Sequence, residues 1–85
     1  MNYYRVLSYE YLSDGIWGYF VAGYVAGDEE DAAEMADEYL DGYVSVGTRW
    51  EKIDDLEMFM FLREDEPIGS IAGSLTEAKL EMEQK

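Results

Sequence analysis

The sequence predicts an α+β fold: an antiparallel sheet of three to four strands, one long acidic helix packed on a face, and a short C-terminal helix. Three observations lead to this class. An Asp-Gly pair separates two runs rich in tyrosine and valine, as in a β-hairpin. The next segment repeats apolar residues at helical spacing. A Ser-x-x-Glu helix-start signal lies near the C-terminus. The predicted order is approximately ββαββα.

Length and composition predict a single domain, 1–85. The chain has 85 residues, of which 48% are hydrophobic, enough for one small core. Cysteine is absent, which excludes disulfides and thiolate metal sites. The N-terminus lacks the basic and apolar regions of a signal peptide, and the longest apolar stretch, 16–26, is too short to span a bilayer. These features predict a cytoplasmic protein that does not bind membranes.

The predicted hairpin comprises residues 3–12 and 16–26. Its Asp-Gly turn is favoured because both residues tolerate positive φ. The second strand has apolar residues on both faces, which predicts a central position in the sheet rather than an edge. Gly18 and Gly23 indicate either bulges or positions where another backbone or a helix comes close.

A helix is predicted to begin after Asp28, the N-cap, with Asp31 at its third position. Gly42 is the predicted C-terminal stop. The apolar residues of this segment form a single stripe suited to packing on a sheet: Ala32, Met35, Ala36, Tyr39, Leu40 and Tyr43.

The rest of the chain predicts two further strands and a helix. Residues 43–50 have the composition of a strand, and residues 56–63 alternate apolar side chains as in a buried strand that ends before Pro67. Residues 69–73 are small and predict a linker or turn. A helix is predicted from Leu75 to about Gln84.

Charge is the feature that departs from an ordinary small domain. Twenty acidic residues oppose six basic ones, with no histidine, and the formal net charge is −14. On the predicted helix the carboxylates opposite the apolar stripe recur at spacings of three and four, so they form one line: Glu30, Glu34, Asp37, Glu38 and Asp41.

Like charges four residues apart destabilise a helix by about 0.2–0.5 kcal/mol per pair. A helix selected for stability alone would carry Lys or Arg among them, and this segment carries none. Eight carboxylates fall within residues 28–41. At a helical rise of about 1.5 Å per residue, this is roughly one charge per 2.6 Å, against about 1.7 Å along duplex DNA.

This charge density predicts a non-enzymatic inhibitor that imitates the phosphate backbone and occupies the basic site of a nucleic-acid-binding protein. The small, strongly acidic, cysteine-free chain resembles the DNA-mimic inhibitors that bacteriophages and mobile elements make against restriction and CRISPR systems. Those inhibitors share size and charge rather than a sequence motif, so the resemblance assigns no residues. It implies a host defence nuclease or effector complex as the partner, and the host cytoplasm as the location.

Further carboxylates would extend the partner-binding surface if they lie on the same side as the helix: Asp54, Asp55, Glu64 and Asp65. An alternative is that the acidic surface serves only solubility. In that case the eight tyrosines suggest a structural or regulatory module that self-associates, as a homodimer, through an aromatic sheet face.

Other functions have little support in the sequence. Without histidine or cysteine, and without a serine elbow, no catalytic arrangement stands out, so no enzyme activity is expected. The Ca²⁺-loop pattern is absent, and neither a metal nor a cofactor is expected. Direct nucleic-acid binding is not expected either, because the net charge repels a phosphate backbone.

Overall fold

The computed structural model describes residues 1–42 and 45–84, without the side chains of residues 41 and 42. Three strands and three helices follow one another along the chain: β1 (Asn2–Ser13), β2 (Ile16–Gly27), α1 (Glu29–Gly42), β3 (Gly47–Ile53), α2 (Leu56–Asp65) and α3 (Leu75–Glu83). The strands form one antiparallel sheet in the order β2-β1-β3. The predicted α+β class with its antiparallel sheet is confirmed.

The hairpin is confirmed with the expected turn. Asp14 and Gly15 adopt positive φ angles of 49° and 80°, as a two-residue hairpin loop requires. The position of β2 was predicted wrongly, because β1 is the central strand and β2 lies at an edge.

The outer edge of β2 is covered by the segment that follows α2, residues 67–72. Val21 exchanges backbone hydrogen bonds with this segment, donating to Ser70 at 2.9 Å and accepting from Gly69 at 2.8 Å. The amide of Ala72 donates to Tyr19 at 2.9 Å. The segment therefore supplies β2 with a backbone partner, although it contains no regular strand.

Helices cover both faces of the sheet. Tyr4 and Val6 of β1 pack with the buried alanines of α1 on one face. On the other face, Ile53 of β3 packs with the buried side chains of α2 and with Ala78 of α3. This second layer explains the apolar pattern of β2, since a strand in a sheet covered on both sides needs apolar residues on both faces wherever it lies.

The predicted fourth strand, residues 56–63, is wrong: this segment is helix α2. Asp55 caps the helix, accepting a 2.9 Å hydrogen bond from the amide of Met58 at its Oδ1. Met58 and Leu62 are buried four residues apart, whereas Met60 is 51% exposed. The burial therefore follows helical spacing, and the order of elements is ββαβαα.

The remaining boundaries differ in smaller ways. The third strand begins at Gly47 rather than at residue 43, and residues 43 and 44 lie outside the described part of the chain. Helix α3 has the predicted start, with Ser74 accepting from the amide of Glu77 at 3.1 Å. This bond is one half of a capping box.

Gly23 has both of the roles its sequence position suggested. The pairing of β1 with β2 shifts register beside it, which leaves Ala22 as an additional residue. A Cβ atom at Gly23 would collide with the sulfur of Met35 on α1. The absence of a side chain at Gly23 therefore lets α1 pack closely on the sheet.

Candidate functional site

Helix α1 presents two different sides because of where its alanines lie. Ala32 and Ala36, one turn apart, are 0% and 1% exposed and face the sheet. Its start is fixed by Asp31, whose carboxylate accepts a 2.9 Å hydrogen bond from the amide of Asp28. With the alanine side held against β1, the carboxylate side faces the solvent.

Four of the predicted carboxylates form a row along the solvent side of α1, and we call this set the acidic row: Glu30, Glu34, Asp37 and Glu38. All four are exposed. None of the basic residues that the structure describes lies within 4.0 Å of them. Asp41 continues the same helix, but its side chain lies outside the described part of the chain.

The row is spread along the helix and does not converge. Among the side chains that the structure describes, no three acidic groups lie close enough together to hold a metal ion. The arrangement therefore provides a line of separate negative charges, which can attract a cationic surface over several ångströms.

Glu29, at the first helical position, has a different environment. Its Oε1 accepts a hydrogen bond of 3.3 Å from the indole nitrogen of Trp50 on β3. This contact connects the start of α1 to the sheet. Glu29 and Asp31 thus make contacts within the described part of the fold, unlike the four carboxylates of the acidic row.

The other predicted partner-binding residues lie in the opposite layer, with α2. Asp55 is its N-cap. Asp54, next to it, is 3.8 Å from the ammonium of Lys79, an ion pair in which both side chains are more than half exposed. Glu64 and Asp65 are exposed in the last turn of α2. These four residues and the acidic row thus lie on two sides of the sheet and do not form one continuous surface.

The C-terminal part of α1 is less buried than its apolar pattern predicted. Tyr39 and Leu40 are 37% and 43% exposed, and Tyr43 lies outside the described residues. Partial burial and the carboxylate of Glu10, which accepts a hydrogen bond from the phenol, raise the pKa of Tyr39.

A buried ionic network on the α2 side of the sheet was not predicted. Arg5, in the middle of β1, is 1% exposed. Its guanidinium lies 2.6 Å from Glu51 and 3.2 Å from Glu66, and it donates to the carbonyl of Gly73 at 2.8 Å. Glu66 also accepts from the amide of Gly73 at 2.8 Å. Two carboxylates thus compensate the buried charge, as burial of an ion requires.

An open cleft of about 380 Å³ lies beside this network, lined in part by Tyr19, Arg49 and Thr76. The guanidinium of Arg49 is 2.8 Å from Glu51 and 5.0 Å from the centre of the Tyr19 ring. The network thus consists of two cations and two anions, namely Arg5, Arg49, Glu51 and Glu66. The network therefore offers a ligand no net charge.

Near the hairpin turn, four rings form what we call the aromatic cluster: Tyr9, Tyr11, Trp17 and Tyr19. Trp17 stacks on Tyr9 with ring centres 5.7 Å apart and meets Tyr11 edge-on at 5.4 Å. Tyr11 and Trp17 are 53% and 42% exposed. The cluster lies on the α2 side of the sheet, since its residues alternate in phase with Tyr3 and Arg5.

Comparisons with protein-family models, with curated proteins and with solved structures gave no match. Among the described helices, none combines the length and the apolar character needed to cross a bilayer. The proposal below therefore rests on the residues of the chain and their geometry.

Proposed function

We propose that this protein is a non-enzymatic inhibitor that acts in the cytoplasm and occupies the basic nucleic-acid-binding site of another protein. The observation that carries this proposal is the acidic row, exposed and without a described cation beside it. By the resemblance in size and charge, the partner is a host defence nuclease or effector complex of the restriction or CRISPR type.

The geometry of a helix supports this role. Glu30, Glu34 and Glu38 follow one another at intervals of four residues, about 6 Å along the axis. Asp37 lies beside this line. A basic groove that binds a polynucleotide presents Lys and Arg side chains along a path, and a straight row of carboxylates offers each of them a counter-charge. Because the row is held on a helix packed on a sheet, the backbone positions from which its carboxylates extend are fixed before binding.

The energetics support the same proposal. The pairs Glu30–Glu34 and Glu34–Glu38 place like charges four apart, each costing about 0.2–0.5 kcal/mol of helix stability. In a small domain, where the free energy of unfolding is modest, this cost is offset if the carboxylates bind a partner. An acidic surface that served solubility alone could distribute the same charge with basic residues interspersed.

A capture experiment with a matched control tests the proposal. The wild-type protein, Glu34→Lys/Asp37→Lys and Glu81→Lys/Glu83→Lys are immobilised and exposed to bacterial lysate. Both double variants change the net charge by +4, and all four substituted side chains are exposed. We expect the wild type and the α3 variant to retain a nucleic-acid-binding protein that added DNA or RNA displaces. Raising the salt from about 50 to about 500 mM shortens the screening length from roughly 14 to roughly 4 Å and should release it.

The α1 variant should retain much less of that protein, because two anions of the row have become cations. The captured protein is then purified and titrated against all three chains. Equal affinity for the wild type and Glu34→Lys/Asp37→Lys would refute the role of the acidic row. Equal loss in both double variants would show that only the net charge matters.

A second candidate function is favoured by the aromatic cluster. In this alternative the chain is a structural or regulatory module that self-associates through the exposed rings, and the acidic surface serves solubility. Exposed Tyr and Trp side chains are common at interfaces. Substituting Trp17 by Ala separates the two candidates, since it should abolish self-association in the second and leave the salt-dependent binding of the first in place.

A further inference from the structure

We propose that β3 pairs with β3 of a second copy of this chain, edge to edge and antiparallel, about a two-fold axis through Trp50. The result is one continuous six-stranded sheet. This inference does not depend on the proposed function. It uses the backbone edge of β3 rather than the acidic row or the exposed rings of Tyr11 and Trp17.

The first observation is that one edge strand of the sheet has a backbone partner on its outer side and the other has none in the described part of the chain. Residues 67–72 cover the outer edge of β2. In the described part of the chain, β3 pairs only with β1, which leaves its outer edge without a backbone partner. Its register with β1 is continuous over seven residue pairs, without a bulge, and it contains no proline. Two common protections against edge pairing are therefore absent from β3.

The second observation is the charge of β3. The strand carries Arg49 and Lys52 against one acid, Glu51, so its formal charge is +1 in a chain whose net charge is −14. Two of the six basic residues of the whole sequence lie on these seven positions. Two copies therefore repel each other less when they approach through β3 than when they approach through α1.

The third observation is that this strand is complementary to itself. In an antiparallel pair centred on Trp50, Arg49 lies opposite Glu51 of the second copy, and the same contact occurs again by symmetry. Thr48 then lies opposite Lys52. A slip of two residues places Arg49 opposite Arg49, or Glu51 opposite Glu51. Since opposite charges stabilise cross-strand pairs and like charges destabilise them, the side chains select a single register.

The side chains already have suitable positions. Arg49 and Glu51 point to the same face of β3, with the guanidinium 2.8 Å from the carboxylate and 53% of the arginine side chain exposed. Pairing of two strands would bring four charges of alternating sign together on that face. Lys52, which discourages pairing with an arbitrary apolar strand, meets no like charge in this arrangement.

The remainder of each copy is acidic, so the two bodies repel through solvent. Salt screens this repulsion, whereas the backbone hydrogen bonds between the strands do not depend on it. Self-association should therefore strengthen with added salt. The proposed inhibitor activity has the opposite dependence, because its binding is an attraction between opposite charges.

Sedimentation of the full-length chain tests the pairing, at concentrations up to about 1 mM and at low and high salt. We expect a dimer whose association constant rises with salt. Arg49→Glu places a glutamate opposite Glu51 of the other copy at both symmetric positions and should lower that constant about tenfold or more. Arg63→Glu on α2 makes the same charge change at another exposed site and should change it less than about twofold.

Hydrogen exchange locates the contact independently of any substitution. The outward backbone amides of β3 should exchange more slowly in concentrated than in dilute solution. A protein that is monomeric under all these conditions overturns the inference, as does a dimer with no added protection in β3. A dimer that survives Arg49→Glu but is lost in Trp17→Ala also overturns it, in favour of the aromatic cluster. A monomer that still binds a basic partner leaves the proposed function unaffected.

Discussion

The sheet separates two groups of carboxylates that have opposite surroundings. On the α2 side, Glu51 and Glu66 lie 2.6 and 3.2 Å from the guanidinium of Arg5, which is 1% exposed. On the α1 side, Glu34 and Asp37 are exposed, and no basic residue of the described chain pairs with them. The chain thus supplies a cation where a buried carboxylate needs one for folding. None of the basic residues in the described part of the chain forms an ion pair with the acidic row, so its charges are available to another molecule.

The largest expected effect on stability comes from removing Arg5, the central cation of the buried ionic network. Arg5→Met removes the described cation beside Glu66 and leaves Glu51 with only the exposed Arg49, and we expect the free energy of unfolding to fall by about 3–5 kcal/mol. Urea denaturation followed by circular dichroism measures this. Arg63→Met is the control, because Arg63 is exposed and stacks 5.6 Å above the Phe59 ring, a contact worth about 1 kcal/mol or less. Similar losses in both variants would show that the buried network does not support the fold.

The second effect concerns how the free energy of unfolding depends on pH, through Tyr24, which lies beside the Arg5 network. The Tyr24 hydroxyl donates to the carbonyls of Leu62 and Glu66 at 3.1 and 2.5 Å. Burial raises the pKa of Tyr24 to about 12, with nearby Glu66 and Asp65 adding to the rise and Arg5 opposing it. In the unfolded chain the phenol titrates near its ordinary pKa of 10.0. The protonated hydroxyl of Tyr24 therefore makes its full contribution to folding stability below pH 10. This contribution is lost as the pH rises towards 12.

Tyr24→Phe tests this by removing the titrating group. We expect the variant to be less stable than the wild type by about 1 kcal/mol at neutral pH, from the lost hydrogen bonds. Between pH 10 and 12 the gap should narrow, since only the wild type loses the phenol's contribution. Urea midpoints across this range measure the difference, and Tyr39, present in both chains, cancels. A constant gap would contradict the raised pKa.

The smallest effect on stability is expected in the acidic row. Glu34→Lys/Asp37→Lys removes three like-charge pairs four residues apart, Glu30–Glu34, Glu34–Glu38 and Asp37–Asp41. It also places a lysine four residues after Glu30, a favourable arrangement. The free energy of unfolding should stay the same or rise by about 0.5–1 kcal/mol, as thermal melting at low salt would show. A loss of more than about 1 kcal/mol would mean that the carboxylates of α1 contribute to folding, and the contrast with the buried group would disappear.

Local signals predicted much of the fold. The Asp-Gly turn, the start of α1 after Asp28 and the Ser74 cap each depend on a few neighbouring residues, and the structure contains all three. At the start of α1 the described capping bond is the one that the Asp31 carboxylate accepts from the amide of Asp28. The prediction of a strand at residues 56–63 was wrong because this segment is apolar at most positions. Its pattern fits both the two-residue period of a strand and the 3.6-residue period of a helix. The N-cap residue Asp55 was the signal that could have decided for a helix.

The candidate site was predictable only in part. The acidic row follows directly from helical spacing, whereas the separation of Asp54, Asp55, Glu64 and Asp65 from it depends on which face α2 covers. The Arg5 network was not predictable, because Glu51 and Glu66 lie 46 and 61 residues further along the chain. No local pattern distinguishes a buried arginine in a strand from an exposed one when its partners are that distant.

These long separations also constrain when the protein can fold during its synthesis. Arg5 is translated 68 residues before its last described partner, Gly73. Until Gly73 has left the ribosome, the Arg5 guanidinium has to stay hydrated. Strand β1 therefore cannot be buried between α1 on one face and α2 and α3 on the other. The nascent hairpin can form early, while the packing of helices on both faces of the sheet has to wait until residue 73 is available. Ribosome-bound intermediates should therefore lack the buried network.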